Sequence, residues 1–387
     1  MNLMKDLIEN YEDKFKDYLN VNYASSFWKG RVALYAILKA MGIGEGDEVL
    51  VEGFTCVVVP NAVIFAGAKP VYVAPDPKTY NMDINQIEPK ITTKTKAIIA
   101  QHTFGLPADM DAIMKIAQRH NLKVIEDCAP AMGAAYKGKK VGSFGDAAFF
   151  STQWSKGIST GLGGVAVTNN PEIGKAIERF KKECVPPSYR EMATLFTQLK
   201  LYQLMYNPTL HWFGLKTHRL LSKLGIFIPS STNEDLLSPR KPNGYEKLFT
   251  NFQAKIGLRG FEKLDKDNEH RRYIASLYDR YLRENNLPVA YAEKSEGHIY
   301  LRYPLLVKDK NAILKAAQFQ NIEIGDWFIS VLHPLNAPLD TACYRDGDCP
   351  VGEEIAKHLI NLPTHLGMDK KKVVRVIEFL KRMRDEV

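Results

Sequence analysis

From residue 30 onward the chain alternates two hydrophobic rhythms. "GRVALYAILKAMGIG" spaces its apolar residues three and four apart and ends in glycines, which predicts a helix. "DEVLVE" is a short apolar strand, "CVVVPNAVIFAGA" a helix, "KPVYVAP" a strand and "MDINQIEPKI" a short helix. "TKAIIAQHTFG" contains a strand, and "DMDAIMKIAQRHN" is an amphipathic helix capped near Asp109. "LKVIEDCA", "DAAFFST" and "GGVAVTN" are three more strands. Strands this apolar, alternating with helices, predict an α/β protein with a largely parallel sheet covered on both faces. Ligands of such sheets sit at the carboxyl ends of the strands. Attention therefore falls on "EDCAPA" and "FFSTQWSK".

Residues 184–245 break the rhythm. From Met192 to Asn233 there is no acidic residue, while Lys200, Lys216, Arg219 and Lys223 supply charge. Aromatic residues are frequent there, among them Phe196, Tyr202, Trp212 and Phe227. The pattern predicts helices joined at Asn207–Pro208, then an irregular stretch to about Asn243. Residues 190–235 fit two readings: a surface that lies on a membrane or covers a lipid-linked substrate, and a helical hairpin packed on protein. A long helix, roughly Tyr245–Glu284, follows. Beyond it, "HIYLRYPLLV" and "IEIGDW" read as strands, and "KNAILKAAQFQ", "GEEIAKHLI" and "DKKKVVRVIEFLKRM" as helices. The expected division is a large α/β domain over 1–250 and a linking helix with a small α+β domain over 251–387.

Composition adds limits. With 45% apolar and 25% charged residues, the 387-residue chain is globular. Its net charge of +8 admits anionic substrates. No long single-sign run suggests a nucleic-acid arm. Five cysteines without a C-x-x-C pair suggest neither a disulfide framework nor a metal site, which fits a reducing compartment. The first residues, "MNLMKDLIENYEDKFKDYL", read as an amphipathic helix rather than a signal peptide. No apolar run is long enough for a membrane span. A cytoplasmic enzyme is the expectation.

Candidate chemistry begins with Lys156. Between Ala147 and Asn169 it is the one charged residue. A lysine without an evident ion-pair partner suits Schiff-base chemistry, because a lowered pKa makes it nucleophilic; a lysine that snorkels to solvent is the alternative. Asp127 ends an apolar strand, where a buried carboxylate needs a cation, although a local salt bridge or helix cap explains it equally. Gly30 and Arg31 open a helix whose N-terminus would suit phosphate, with Ser151 as a further phosphate ligand. "GLGGVAV" turns into a strand without a following helix, which excludes a dinucleotide fingerprint. His102 and His333 are candidates to line the cleft, or else core histidines.

Taken in order, "GRVALYAILKAMGIGEGDEVLVEGFTC", "HTFGLPADMDAI", "LKVIEDCAPAMGAAYKGKKVGSFGDAAFFS", "SKGISTGLGG" and "NFQAKIGLRGFEKLD" resemble the DegT/DnrJ/StrS-type aminotransferases, which use pyridoxal 5'-phosphate (PLP) to aminate keto-sugar nucleotides. The resemblance implies a fold-type-I aminotransferase acting as a homodimer, with glutamate as amino donor. A PLP enzyme of this fold with a non-sugar or lipid-linked substrate, and a non-catalytic relative, are the other readings. By the resemblance Lys156 is the Schiff-base lysine and Asp127, 29 residues earlier, the partner of the pyridine nitrogen. Gly30, Arg31 and Ser151 fall at the phosphate positions and Cys56 at the ring-stacking position; His102 and His333, which the resemblance does not assign, stay candidates for the substrate side. The chain departs from the pattern at Pro130, where the family has Gln or His, and at Glu246 and Leu248, where it has Asn and Arg. The 184–243 insertion is longer than in typical members.

Overall fold

The computed structural model describes residues 6–205, 227–229, 231–238, 240–291, 297–334 and 339–387. Seven strands form the central sheet: β1 (Tyr23–Phe27), β2 (Glu48–Glu52), β3 (Lys69–Val73), β4 (Thr95–Gln101), β5 (Lys123–Asp127), β6 (Ala147–Ser151) and β7 (Gly164–Thr168). Their order is β1-β7-β6-β5-β4-β2-β3. Only β7 runs against its neighbours, pairing antiparallel with β1 and β6. The middles of β2 and of β4 to β7 are buried and apolar, as a sheet covered on both faces requires, and buried polar residues such as Glu52, Gln101 and Asp127 stand at strand ends. Register places Gln101 opposite Asp127 and Asp127 opposite Phe149, so β4, β5 and β6 end on a common rim.

Helix α1 (Leu7–Leu19) precedes the sheet; α2 (Gly30–Ala40) is buried from Gly30 to Leu38 and packs against β6 and β7. Its unbroken apolar face belongs to an interior helix. Helices α3 (Val58–Ala66), α4 (Met110–Arg119) and α5 (Pro171–Glu183) follow. The Asp109 side chain accepts from the Ala112 amide at 3.2 Å and caps α4 as expected.

Four local expectations change. "MDINQIEPKI" forms two 3₁₀ turns, Ile84–Gln86 and Glu88–Lys90, because Pro89 lacks the amide that a continuous α-helix needs. The long helix, here α8, spans Asn251–Glu284 rather than starting at Tyr245. Thr250 and Gln253 form its capping box, while Lys247 and Leu248 bridge to Val185 and Phe27 in extended backbone. "IEIGDW" makes a single bridge, Gly325 to Asn361, in place of a strand. Leu359 and Ile360, read as the end of a helix, instead open the strand Leu359–Leu362, which pairs with Tyr303–Leu306.

The insertion contributes α6 (Tyr189–Met205) and a five-residue helix α7 (Asn233–Leu237). The Asn207–Pro208 junction and Lys216, Arg219 and Lys223 lie outside the described residues. Leu195 and Leu199 of α6 pack with Trp28 and Leu162, whereas Tyr189 and Phe196 remain exposed. No described helix is long and apolar enough to cross a membrane.

At 34 residues, α8 is about 50 Å long and bridges two cores. Its first half puts Ala254, Phe261 and Leu264 with Tyr11 and Phe15 of α1. Its second half puts Ile274 and Tyr278 with Tyr303, Ile360 and Phe379 of the C-terminal part. The C-terminal helices are α9 (Lys310–Phe319), α10 (Pro350–His358) and α11 (Lys370–Arg382). Phe54 and Phe104, from the rim of the sheet, join this second core.

Candidate active site

The rim of β4, β5 and β6 forms one wall of a cleft. Asp127 is the last residue of β5 and Ser151 the last of β6; both line the cleft, with Gly30 and Arg31 of α2 at one end. Two glycines let the helix reach this position. A Cβ on Gly164 would stand 2.2 Å from the Gly30 Cα, and one on Gly30 would stand 3.0 Å from the Ser151 Cβ. The first turn of α2 therefore points its amides at the space beside Ser151.

Asp127 is buried. One carboxylate oxygen accepts from the Ala129 amide at 2.9 Å. Burial pushes its carboxyl pKa up to about 6, against the opposing pull of the Ala129 amide, Lys156 and His102. Lys156 lies on the turn after β6 and its amine also lines the cleft. Burial draws its pKa down to about 8, while Asp127 and Cys56 hold it up. Among the described residues no carboxylate lies within ion-pair distance of Nζ, which instead sits 4.5 Å from the centre of the Trp327 ring. An amine whose pKa is drawn toward neutrality, beside an acid that lacks a cationic contact, is poised for nucleophilic and proton-transfer chemistry.

Arg31 is tied into a charge cluster that sequence reasoning missed. Asp235 of α7 pairs with Lys29 at 2.8 Å and with Arg31 at 3.3 Å, and the Ser231 hydroxyl accepts from Arg31. Burial acts to raise the Asp235 pKa, but Arg31 and Lys29 outweigh it and hold it at about 2. Burial also lowers Lys29 to about 8. The only sequence signal for Asp235 is its place in the Thr232–Asp235 capping box.

Cys56 and Pro130 line the cleft. His102 does not, contrary to expectation. It is fully buried, accepts from the Ala108 amide on Nδ1 at 3.0 Å, and stands 3.2 Å from Glu126 through Nε2. Glu126 in turn takes amides from Gly142, Phe144 and Gly145. His102 thus belongs to a satisfied core network. His333 also stays off the cleft surface, backing Trp327 and Phe328 at ring distances of 5.8 and 5.4 Å. Burial, with Lys156, Arg302 and Lys310 nearby, lowers its pKa to about 3, so the ring is neutral. The carboxylate of Glu246 is engaged by Lys241, and Lys247 pairs with Glu191 at 2.5 Å.

A model of the DegT/DnrJ/EryC1/StrS aminotransferase family matches residues 3–381. The GDP-perosamine synthase of Caulobacter vibrioides is 31% identical over 376 residues, 96% of this chain and 89% of that protein. A dTDP-3-amino-3,6-dideoxy-alpha-D-galactopyranose transaminase of Aneurinibacillus thermoaerophilus is 30% identical over 378 residues, 97% and 89% of the two chains. Among solved structures, NtdA of Bacillus subtilis with its cofactor PMP bound shares the fold at a TM-score of 0.74, with 24% identity over 99% of this chain and 78% of that one.

Proposed function

Because the chain belongs to the DegT/DnrJ/EryC1/StrS aminotransferase family, we propose that it transfers an amino group from glutamate to a nucleotide-linked keto-sugar, yielding an amino-sugar. Its cofactor is pyridoxal 5'-phosphate. The GDP- and dTDP-sugar names of the two relatives support a sugar nucleotide as acceptor and leave the base open.

The cleft fits this cofactor on three counts. The glycine cradle beside Ser151 leaves room that a Cβ would fill, at a helix N-terminus suited to phosphate. The raised pKa of Asp127 marks a buried acid whose burial is not offset by a contacting cation, which a protonated ring nitrogen would supply. Lys156 presents an amine already shifted toward its neutral form. When bound, the cofactor supplies an aldehyde that captures amines and a protonated ring that draws electrons from the substrate carbon.

The residues then divide the work. Gly30, Arg31 and Ser151 would hold the phosphate, with Asp235 paired to both Arg31 and Lys29 beside it. Asp127 keeps the ring nitrogen protonated. Lys156 would hold the cofactor through its aldehyde carbon, and its Nζ would carry a proton from the substrate carbon and back. Cys56, Phe104 and Phe328 wall the cleft and exclude water from these transfers. We assign the enzyme as a homodimer on the resemblance, and sedimentation tests that assignment.

The observation that carries this reading is the half-buried Lys156, its pKa drawn down, sharing one cleft with the buried Asp127. The purified protein should show the visible band of lysine-bound PLP, and glutamate should bleach it. Borohydride should fix the cofactor on the peptide containing Lys156. Lys156→Ala should abolish the band; an undiminished band in that variant rejects the assignment.

A further inference from the structure

A second cavity shares Lys156 with the cleft, and none of Gly30, Arg31, Asp127 or Ser151. Its walls include Trp154 and Tyr202, in edge contact at 5.0 Å, with Arg271, His365 and the carboxylate of Asp267. Tyr202 comes from α6, Arg271 from α8 and His365 from the C-terminal part. The His365 ring is paired with Glu323 at 2.9 Å, and Arg271 reaches the Leu301 carbonyl at 3.4 Å.

Arg302, the residue after Leu301, has no such engagement. It is half-buried. Its guanidinium lies 5.1 Å from the centre of the Trp327 ring, the ring that Lys156 approaches at 4.5 Å. Its Nε is enclosed without a hydrogen-bond partner. Among the described residues no carboxylate stands within ion-pair distance of it, and no carbonyl or hydroxyl accepts from it. Burial lowers the Arg302 pKa, as does the neighbouring Arg271, and Glu323 and Asp326 offset this only from a distance. A partly desolvated guanidinium without an anion is unfavourable. The aromatic face holds its plane in place, and the free fork matches a carboxylate or phosphate in two parallel hydrogen bonds.

We propose that Arg302 is the anion-recognising residue of the substrate side: resting on Trp327, it receives the carboxylate of the amino donor or the phosphate of the acceptor as that ligand reaches Lys156. The assignment rests on the aminotransferase reading for the identity of those ligands, but not for the presence of the site. It also gives Trp327 a function, as a platform shared by the anchoring lysine and the recognising arginine.

The test uses PLP-loaded enzyme and two unreactive probes, glutarate for the donor and inorganic pyrophosphate for the acceptor, titrated calorimetrically into wild type, Arg302→Met and Arg302→Lys. Wild type should bind at least one probe, and Arg302→Met should bind it about tenfold more weakly or worse, the usual scale for a hydrogen bond to a charged group. Arg302→Lys keeps the charge but loses the fork, and should recover only part of the affinity. Loss confined to glutarate assigns the donor, and loss confined to pyrophosphate assigns the acceptor. The visible cofactor band should be equal in all three proteins, which separates a lost anion site from misfolding; if Arg302→Met fails to load, Arg302→Lys carries the comparison. Equal probe affinities in wild type and variants, or no binding of either probe to wild type, overturn the proposal. Glutamate bleaching of wild type is read alongside: its absence, with probe binding still dependent on Arg302, rejects the aminotransferase reading and leaves the anion site standing.

Discussion

Cofactor capture by the apoprotein should carry the signature of a buried lysine. Condensation requires a neutral amine, and burial places the Lys156 pKa at about 8 instead of 10.5. At pH 7 about one-tenth of Lys156 is then neutral, against about one part in three thousand for an ordinary lysine. At pH 9 the neutral fraction is about nine-tenths, so the capture rate should rise about tenfold between pH 7 and pH 9 and then level off. An ordinary lysine would gain about a hundredfold over the same interval and keep climbing. Stopped-flow absorbance after mixing apoprotein with PLP measures this directly. Asp127→Asn supplies the second arm. The Asp127 charge supports the protonated form of Lys156, so its removal should move the plateau to lower pH. The same variant should slow the glutamate half-reaction by about a hundredfold or more, because the ring nitrogen loses its counter-charge. Faster capture with slower transamination is a combination that simple misfolding does not produce. A capture rate that climbs without a plateau beyond pH 9, or an Asp127→Asn profile unmoved from wild type, refutes the electrostatic coupling of the two residues.

Two further perturbations test the phosphate end. The Asp235 pKa falls from 3.8 to about 2 on folding, which corresponds to roughly 2 kcal/mol of apoprotein stability. Because the folded pKa is the lower one, that contribution is complete above about pH 4 and disappears as pH falls toward 2. Asp235→Asn should therefore melt earlier at neutral pH, and added PLP should raise its Tm more than that of wild type, since phosphate then faces cations without their carboxylate; equal melting of the two apoproteins counts against the cluster. Gly164→Ala places a methyl 2.2 Å from the Gly30 Cα and must push the first turn of α2 away from Ser151. A stability loss of about 1–3 kcal/mol and weaker PLP retention should appear together in melts and dialysis, and unchanged retention argues against the cradle.

Strand ends point to the cleft, but a shift of one residue decides which side chain reaches it. Lys156 stood out because no other charge shares its window, and Asp127 because it closes an apolar strand. Both face the cleft. His102 was drawn in by the same reasoning, but side chains alternate across a strand. Gln101 lines the cleft and the next residue, His102, turns into the core; the acids Glu126 and Asp127 divide in the same way. Period-two alternation alone would not have said which parity faces the ligand. That depends on where α2 lands, and α2 lands where Gly30 and Gly164 permit contact. His333 fails for another reason: two aromatic rings from its own loop stand in front of it.

What the sequence concealed is long-range. Asp235 lies 204 residues from Arg31, and Trp327 lies 171 from Lys156, so neither pairing leaves a local pattern. The basic stretch from Met192 to Asn233 drew notice for its lack of acids, yet the consequential acid stands two residues past its end. Through it the insertion becomes part of the site. Ser231 and Asp235 meet Arg31 at the α2 end of the cleft, and Tyr202 forms a wall of the second cavity, which Lys156 also lines. This segment is therefore where the chain's own specificity should be sought, ahead of the sheet that holds Asp127 and Ser151.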